Sequence, residues 1–130
     1  KTSSAASDVY KRQHIKLYKK IDLALDTFPY NGVTTTFEAL WSGVPVLVMK
    51  GHNMNSRAGE SILINGNVKN FIASDQEDYI KKAIYFGNNL DKLDEERDQI
   101  FNNILNSSLF NPKKFSFDLQ KKLMKIYDRK

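Results

Sequence analysis

Apolar residues follow two different periods along the chain, and the changes of period outline its elements. A short apolar run at Leu23, Ala24 and Leu25 is followed by apolar residues at helical spacing over Thr34–Ser42. Val44–Met49 is then an almost continuous β-branched and apolar run, which is typical of a parallel strand buried on both faces. The order predicted is strand, helix, strand.

Turn residues decide between helix and strand where the period is too short to do so. Over residues 22–26 both readings fit the period, but Pro29 and the pair Asn31-Gly32 that follow favour a strand ending in a loop. Gly43 and Pro45 mark the end of the first helix.

The second half of the chain is largely helical. The whole pattern predicts an α/β fold with a parallel sheet, and its few short strands indicate part of a larger lobe. Helices are predicted over 56–64, 75–89, 91–105 and 117–127, with helix caps at Ser56 and Ser74, a brief strand over 68–73 and a loop around Pro112.

Composition excludes several classes of protein. The apolar fraction of 41% and the charged fraction of 27% are those of a globular domain, and no apolar run reaches the ~20 residues of a membrane span. Lys and Arg exceed Asp and Glu by 20 to 15, but no basic stripe interleaved with aromatic residues is present, which argues against nucleic-acid binding. The absence of cysteine excludes disulfides and thiolate metal sites, so a cytoplasmic location is expected.

The first thirteen residues differ from the rest. Residues 1–13 are polar and without periodicity, which predicts a disordered lead-in. Ser3–Gln13, SSAASDVYKRQ, also resembles the in-frame translation of a transposase sequencing adapter. The native sequence is therefore expected to begin near His14, and residues 14–130 to form the domain.

Candidate chemistry lies in the loop 27–34, beyond the first predicted strand. Ligands of open α/β sheets bind where such loops enter a helix, and a helix N-terminus offers free N–H groups to an anion. Gly32 would let a diphosphate approach the backbone, Thr34 and Thr35 would add donors, and Glu38 could accept hydrogen bonds from ribose hydroxyls. The sequence thus predicts a nucleotide-diphosphate site.

A plainer interpretation of the same residues stays open. Asn31 and Gly32 can form a simple turn and Thr34 a simple helix cap, since neither a Walker pattern nor GxGxxG is present.

Trp41 is predicted to lie in the core, and His52 has no partner at metal-ligand spacing.

Three blocks of the sequence carry a family resemblance. HIKLYKKIDLALDTFPYNGVTTTFEALWSGVPVLVMKG, the later Ser56-Arg57-Ala58 and SSLFNPKKF resemble the C-terminal end of the catalytic region of O-linked N-acetylglucosamine transferases and SPINDLY-like relatives. The resemblance implies a GT-B glycosyltransferase with two Rossmann-like lobes, of which residues 14–130 are the C-terminal part of the nucleotide-sugar-binding lobe. It also implies an inverting transfer from a UDP-sugar, with N-acetylglucosamine the expected sugar, to Ser or Thr of a protein acceptor.

The resemblance assigns roles by position. It implies no metal or cofactor, and it places the transferring residues in an upstream lobe, which helical repeats precede in many relatives; this chain alone is expected to be inactive. Val33 stands where animal members have a histidine, so only its backbone N–H can bind the diphosphate.

A noncatalytic nucleotide-binding or protein-interaction module is the alternative function. The implied nucleotide-sugar-binding residues are His14 for uracil and ribose, Gly32, Val33, Thr34 and Thr35 for the diphosphate, and Glu38 for the ribose.

Overall fold

A parallel sheet in the order β1–β2–β3 lies at the centre of the fold. The structure is a computed structural model, and it describes residues 15–128. The sheet pairs Ala24 with Val46 on one side and Val48 with Ile72 on the other, both in parallel register. The predicted α/β fold with a short parallel sheet is confirmed. The strands are β1 (Ala24–Leu25), β2 (Val46–Met49) and β3 (Ile72–Ala73).

Helices flank the sheet and make up most of the second half of the chain, as predicted. The predicted lead-in over residues 1–13 and the candidate site residue His14 lie outside the described residues. The helices described in full are α1 (Thr34–Trp41), α2 (Met54–Asn65), α3 (Gln76–Gly87), α4 (Leu90–Leu105) and α5 (Pro112–Tyr127), and short 3-10 turns lie at Tyr18–Lys20, Lys69–Phe71 and Ser108–Phe110.

The core surrounds β2, whose apolar run made it the clearest predicted strand. Successive side chains of a strand point to opposite faces, and Val46, Leu47 and Val48 are all buried, so both faces of β2 are covered. The other buried apolar side chains pack around them, and they come from α1, α2, α3, α4 and the connecting turns: Tyr18, Ala39, Leu40, Val44, Ile62, Leu63, Val68, Phe71, Phe86, Leu93, Ile100 and Ile104.

Several element boundaries differ from the prediction because side-chain caps move them. Asn53, not Ser56, caps α2; the Asn53 side chain accepts from the Ser56 N–H, and the Ser56 hydroxyl accepts from the Asn53 N–H. Asp75, not Ser74, caps α3. The predicted strand over 68–73 keeps only its last two residues, because a 3-10 turn first carries Phe71 into the core, where it stacks on Phe86.

The last helix begins earlier than predicted and lies differently. The structure starts α5 at Pro112, with Asn111 accepting from the Lys114 N–H, because proline suits the first helical position. No residue of α5 is buried, although Phe115, Leu119 and Leu123 lie four positions apart on one face. Trp41 was wrongly predicted as core: it is about half exposed and packs against Phe101 and Phe110 on the surface.

Deletion of residues 112–130 tests how little α5 contributes to this core. Because no side chain of α5 is buried, we expect the midpoint of thermal unfolding to stay within about 4 °C of that of the intact chain. Circular dichroism at 222 nm measures it. A longer deletion, from residue 107, also removes buried Ser107 and the core contacts of Leu109 and should lower the midpoint clearly; equal effects of the two deletions would contradict the prediction.

Candidate functional site

The candidate site lies at the C-terminal end of β1, where the loop of residues 26–33 leads into α1. The first four N–H groups of any α-helix lack partners within the helix. At α1 the N-cap residue is Val33, and no side chain caps the helix start. The alternative that Thr34 caps the helix is therefore wrong, and no side chain among the described residues caps the N–H groups of the first turn.

Gly32 contributes space rather than a donor. A Cβ atom at this position would collide with the Thr35 hydroxyl oxygen and lie 3.4 Å from Asp26 Oδ1. The Gly32 N–H donates to Asp26 Oδ1 at 2.8 Å, so it is already used within the chain. Of the residues predicted to bind a diphosphate, Val33, Thr34 and Thr35 are those whose N–H groups belong to the helix start.

The structure brings the predicted residues together at one helix end. Val33, Thr34 and Thr35 are exposed, and Glu38 is partly buried one turn further along. Glu38 follows Thr34 by four positions, so the two residues share a helix face. Burial raises the pKa of Tyr18, and the charge of the Glu38 carboxylate adds to the effect.

The side chains of Thr36 and Tyr18 form hydrogen bonds to backbone carbonyl groups at the start of α1. The buried Thr36 hydroxyl donates to the Gly32 carbonyl oxygen at 2.7 Å, and the Tyr18 hydroxyl donates to the Thr35 carbonyl oxygen at 3.4 Å. Both bonds connect the helix start to the elements around it.

Asp26 is a residue of the site that the sequence interpretation missed. Its Oδ1 accepts from the N–H groups of Thr27 and Gly32, at 2.9 and 2.8 Å, while Oδ2 is buried without a hydrogen-bond partner among the described residues. Burial raises the pKa of Asp26 above its ordinary 3.8, and the bonds from Gly32, Thr27 and Asn31 offset only part of that effect. Its position directly after a strand and six residues before a glycine was the available signal.

Asn31 was predicted only as a turn residue, yet it is almost fully buried. Its side-chain Oδ1 accepts from the Gly59 N–H at 3.3 Å, and its own N–H donates to the Asn55 carbonyl oxygen at 3.1 Å. Its Nδ2 donates to the Thr27 carbonyl oxygen at 3.1 Å. Asn31 therefore connects the loop to α2, and its N–H group and both polar side-chain atoms bind other parts of the fold.

A cleft of about 500 Å³ opens beside this helix start, between Tyr30, Val33 and Met54. Arg57 also lines it, but the guanidinium Nε lies 2.9 Å from Glu60 Oε2, and Lys50 Nζ lies 3.5 Å from Glu60 Oε1. A larger cleft of about 810 Å³ lies elsewhere, between the end of α2 and α5. Of these two clefts, the smaller one is lined by a residue of the helix start, Val33.

Two other kinds of site find no support within residues 15–128. His, Asp and Glu side chains form no cluster there that could hold a metal ion, and His52 is exposed in the loop after β2. None of the helices in this part of the chain has the length and apolar character to cross a membrane.

Comparisons with known proteins give one consistent match. The sequence model of glycosyl transferase family 41 matches residues 3–119. The chain is 33% identical over 107 residues to a probable UDP-N-acetylglucosamine–peptide N-acetylglucosaminyltransferase SPINDLY of Eustoma exaltatum subsp. russellianum, covering 82% of this chain and 12% of that protein. It is 29% identical over 119 residues to the UDP-N-acetylglucosamine–peptide N-acetylglucosaminyltransferase of Caenorhabditis elegans, covering 92% of this chain and 10% of that protein.

A solved structure matches the fold as well. A mutant form of the Thermobaculum terrenum O-GlcNAc transferase superposes with a TM-score of 0.80 at 33% identity, covering 88% of this chain and 22% of that chain. The fold is therefore that of part of the C-terminal lobe of such an enzyme, and the chain spans only about a tenth of the length of the curated relatives.

The raised pKa of Asp26 has a consequence for stability. A carboxyl group whose pKa is raised by folding stabilises the fold fully below its unfolded pKa, and this stabilisation is lost as pH rises through the folded pKa. Asp26→Asn removes the buried charge and keeps an oxygen that can accept from Gly32 and Thr27. We expect the free energy of unfolding of Asp26→Asn, relative to that of the wild type, to increase as pH rises above 3.8.

Urea unfolding between pH 3 and pH 7 measures this difference. Asp22→Asn, which removes an exposed carboxylate four positions earlier, is the control. Parallel pH profiles for Asp26→Asn and the wild type would contradict the prediction.

Proposed function

This chain belongs to glycosyl transferase family 41, and we propose that it supplies the diphosphate and ribose part of the UDP-sugar site of a protein glycosyltransferase. The observation that supports this most directly is the uncapped start of α1, which carries Gly32–Thr35 at the C-terminal end of a parallel strand. In α/β sheets this is the edge at which nucleotides bind.

The chemistry proposed for the helix start is stabilisation of a leaving UDP group. The N–H groups of Val33, Thr34 and Thr35 and the Thr hydroxyls would donate to the diphosphate oxygens, and the helix dipole would favour the charge that develops on them. These donors would do the work often done by a metal ion, so we propose a metal-independent reaction.

Two further contacts complete the proposed donor site. Glu38, one turn along α1 on the face of Thr34, would accept hydrogen bonds from the ribose hydroxyls. His14, outside the described residues, is proposed from the family resemblance to contact uracil and ribose.

Transfer itself requires groups that this chain does not supply. We propose an inverting transfer of N-acetylglucosamine to a Ser or Thr hydroxyl of a protein, with the acceptor-orienting residues in an upstream lobe. The chain covers 12% and 10% of two relatives that are named as peptide N-acetylglucosaminyltransferases. A cytoplasmic location, in keeping with a cysteine-free sequence, is part of the same proposal.

Binding of UDP tests the donor site. We expect UDP, titrated into the 15N-labelled chain, to shift the amide signals of residues 33–35 in NMR spectra. Thr35→Ala and Glu38→Gln should each weaken binding about tenfold, because each removes one hydrogen bond to a charged or polyhydroxyl ligand.

Matched variants at exposed positions elsewhere serve as controls. Ser116→Ala removes an exposed hydroxyl from α5, and Glu95→Gln neutralises an exposed carboxylate on α4. Unchanged spectra on adding UDP, or equal affinities for site and control variants, would overturn the site assignment.

A chimera tests the enzyme function. We expect the 130 residues alone to transfer no sugar from UDP-N-acetylglucosamine to a Ser/Thr peptide, measured by mass spectrometry. Residues 15–128, exchanged for the matching segment of the Thermobaculum terrenum enzyme, should give a folded protein that transfers the sugar, and Glu38→Gln in that chimera should reduce transfer. A folded, UDP-binding but inactive chimera would favour a noncatalytic binding module.

A further inference from the structure

We propose that Asp26 is a positioning residue for the donor site: its carboxylate fixes the direction in which the start of α1 presents the N–H groups of residues 33–35. The inference rests on the proposed function, since it concerns the same helix start, and it assigns a role to a residue that touches no part of the donor.

The backbone of Asp26 is held from two sides. Its N–H donates to the Leu47 carbonyl oxygen at 2.9 Å, which continues the pairing of β1 with the buried β2. Its carbonyl oxygen accepts from the Tyr79 hydroxyl of α3 at 2.8 Å. The carboxylate is therefore attached to a fixed point of the sheet, not to a loop that moves with the helix.

The carboxylate closes the loop onto that fixed point. Oδ1 accepts from both ends of the loop, from Thr27 at 2.9 Å and from Gly32 at 2.8 Å. Gly32 directly precedes Val33, the N-cap of α1. The hydrogen bond to Gly32 therefore fixes the position and orientation of the first turn of α1 relative to the end of β1.

Apolar packing does not hold this loop. Phe28 is 50% exposed and Tyr30 is 69% exposed, so their side chains cannot fix its path. The contacts that do fix it are polar, through Asp26 to the end of β1 and through Asn31 to α2. Loss of the Asp26 carboxylate would release the end of the loop next to the helix start.

The negative charge of Asp26 disfavours binding of UDP, so a charge effect of Asp26 can be distinguished from its role as a hydrogen-bond acceptor. A carboxylate hydrogen-bonded to Gly32, the residue before Val33, repels a diphosphate bound there, so Asp26 cannot assist binding by its charge. What it supplies is the acceptor Oδ1, and an asparagine supplies the same acceptor without the charge. Oδ2 has no partner to lose, and a Cβ at Gly59 would lie 2.8 Å from it, so a longer side chain has no room.

The experiment compares Asp26→Ala, Asp26→Asn and the wild-type chain in UDP titrations followed by NMR at pH 7. Asp26→Ala removes acceptor and charge, and we expect its Kd for UDP to rise at least about tenfold. Asp26→Asn keeps the acceptor, and we expect its Kd to lie within about twofold of the wild-type value or below it. Ile104→Val, a change at a buried position in α4, controls for loss of overall stability.

A second readout needs no ligand. In the wild type the Gly32 amide proton is bound to Asp26 Oδ1, so its hydrogen exchange should be slow, remain slow in Asp26→Asn and become fast in Asp26→Ala. Signals from β2 should stay protected in all three proteins.

Each outcome decides a different question. No UDP binding by the wild type would overturn the proposed function and this inference with it. Wild-type affinity in Asp26→Ala, or a slowly exchanging Gly32 amide there, would overturn the inference alone. Asp26→Asn as weak as Asp26→Ala, or Ile104→Val as weak as either, would also overturn it, because charge or general stability would then account for the effect.

Discussion

The parallel pairing of β1 with the buried strand β2 is the constraint on which the site depends. β2 is covered on both faces, and β1 is only two residues long, so the sheet holds β1 mainly through hydrogen bonds to β2. The last of these bonds, from the Asp26 N–H to the Leu47 carbonyl oxygen, lies where the loop begins. The loop that leads to the candidate site starts from that atom pair.

Hydrogen bonds from polar side chains connect the end of β1 to the start of α1. Asp26 holds Gly32, the Thr36 hydroxyl holds the Gly32 carbonyl oxygen, and Asn31 holds α2 through the Gly59 N–H. The loop thus leads into an uncapped helix start. Among the described residues, its buried side-chain atom without a partner is Asp26 Oδ2, and burial raises the pKa of Asp26.

The C-terminal helix shows a different relation between pattern and packing. The apolar face of α5 has the spacing of a buried helix, yet two of its residues, Phe115 and Ile126, are each more than 60% exposed. The stability of the described residues therefore comes from β2 and from the helices that precede α5. Trp41 is similar, since its aromatic neighbours Phe101 and Phe110 cover only part of its ring.

The sequence by itself determined the order of the elements, the parallel sheet, the helix that begins at Thr34 and membership of the family. These features depend on neighbours a few positions apart, on apolar periodicity, and on a motif read directly from the residues. Only the tertiary structure decided that Gly32 donates to Asp26, that Asn31 is bound to Gly59, and that α5 lies exposed. Contacts such as that of Asn31 with Gly59 join residues 28 positions apart, and they form only because β2 carries α2 back beside the loop. No local pattern encodes that approach.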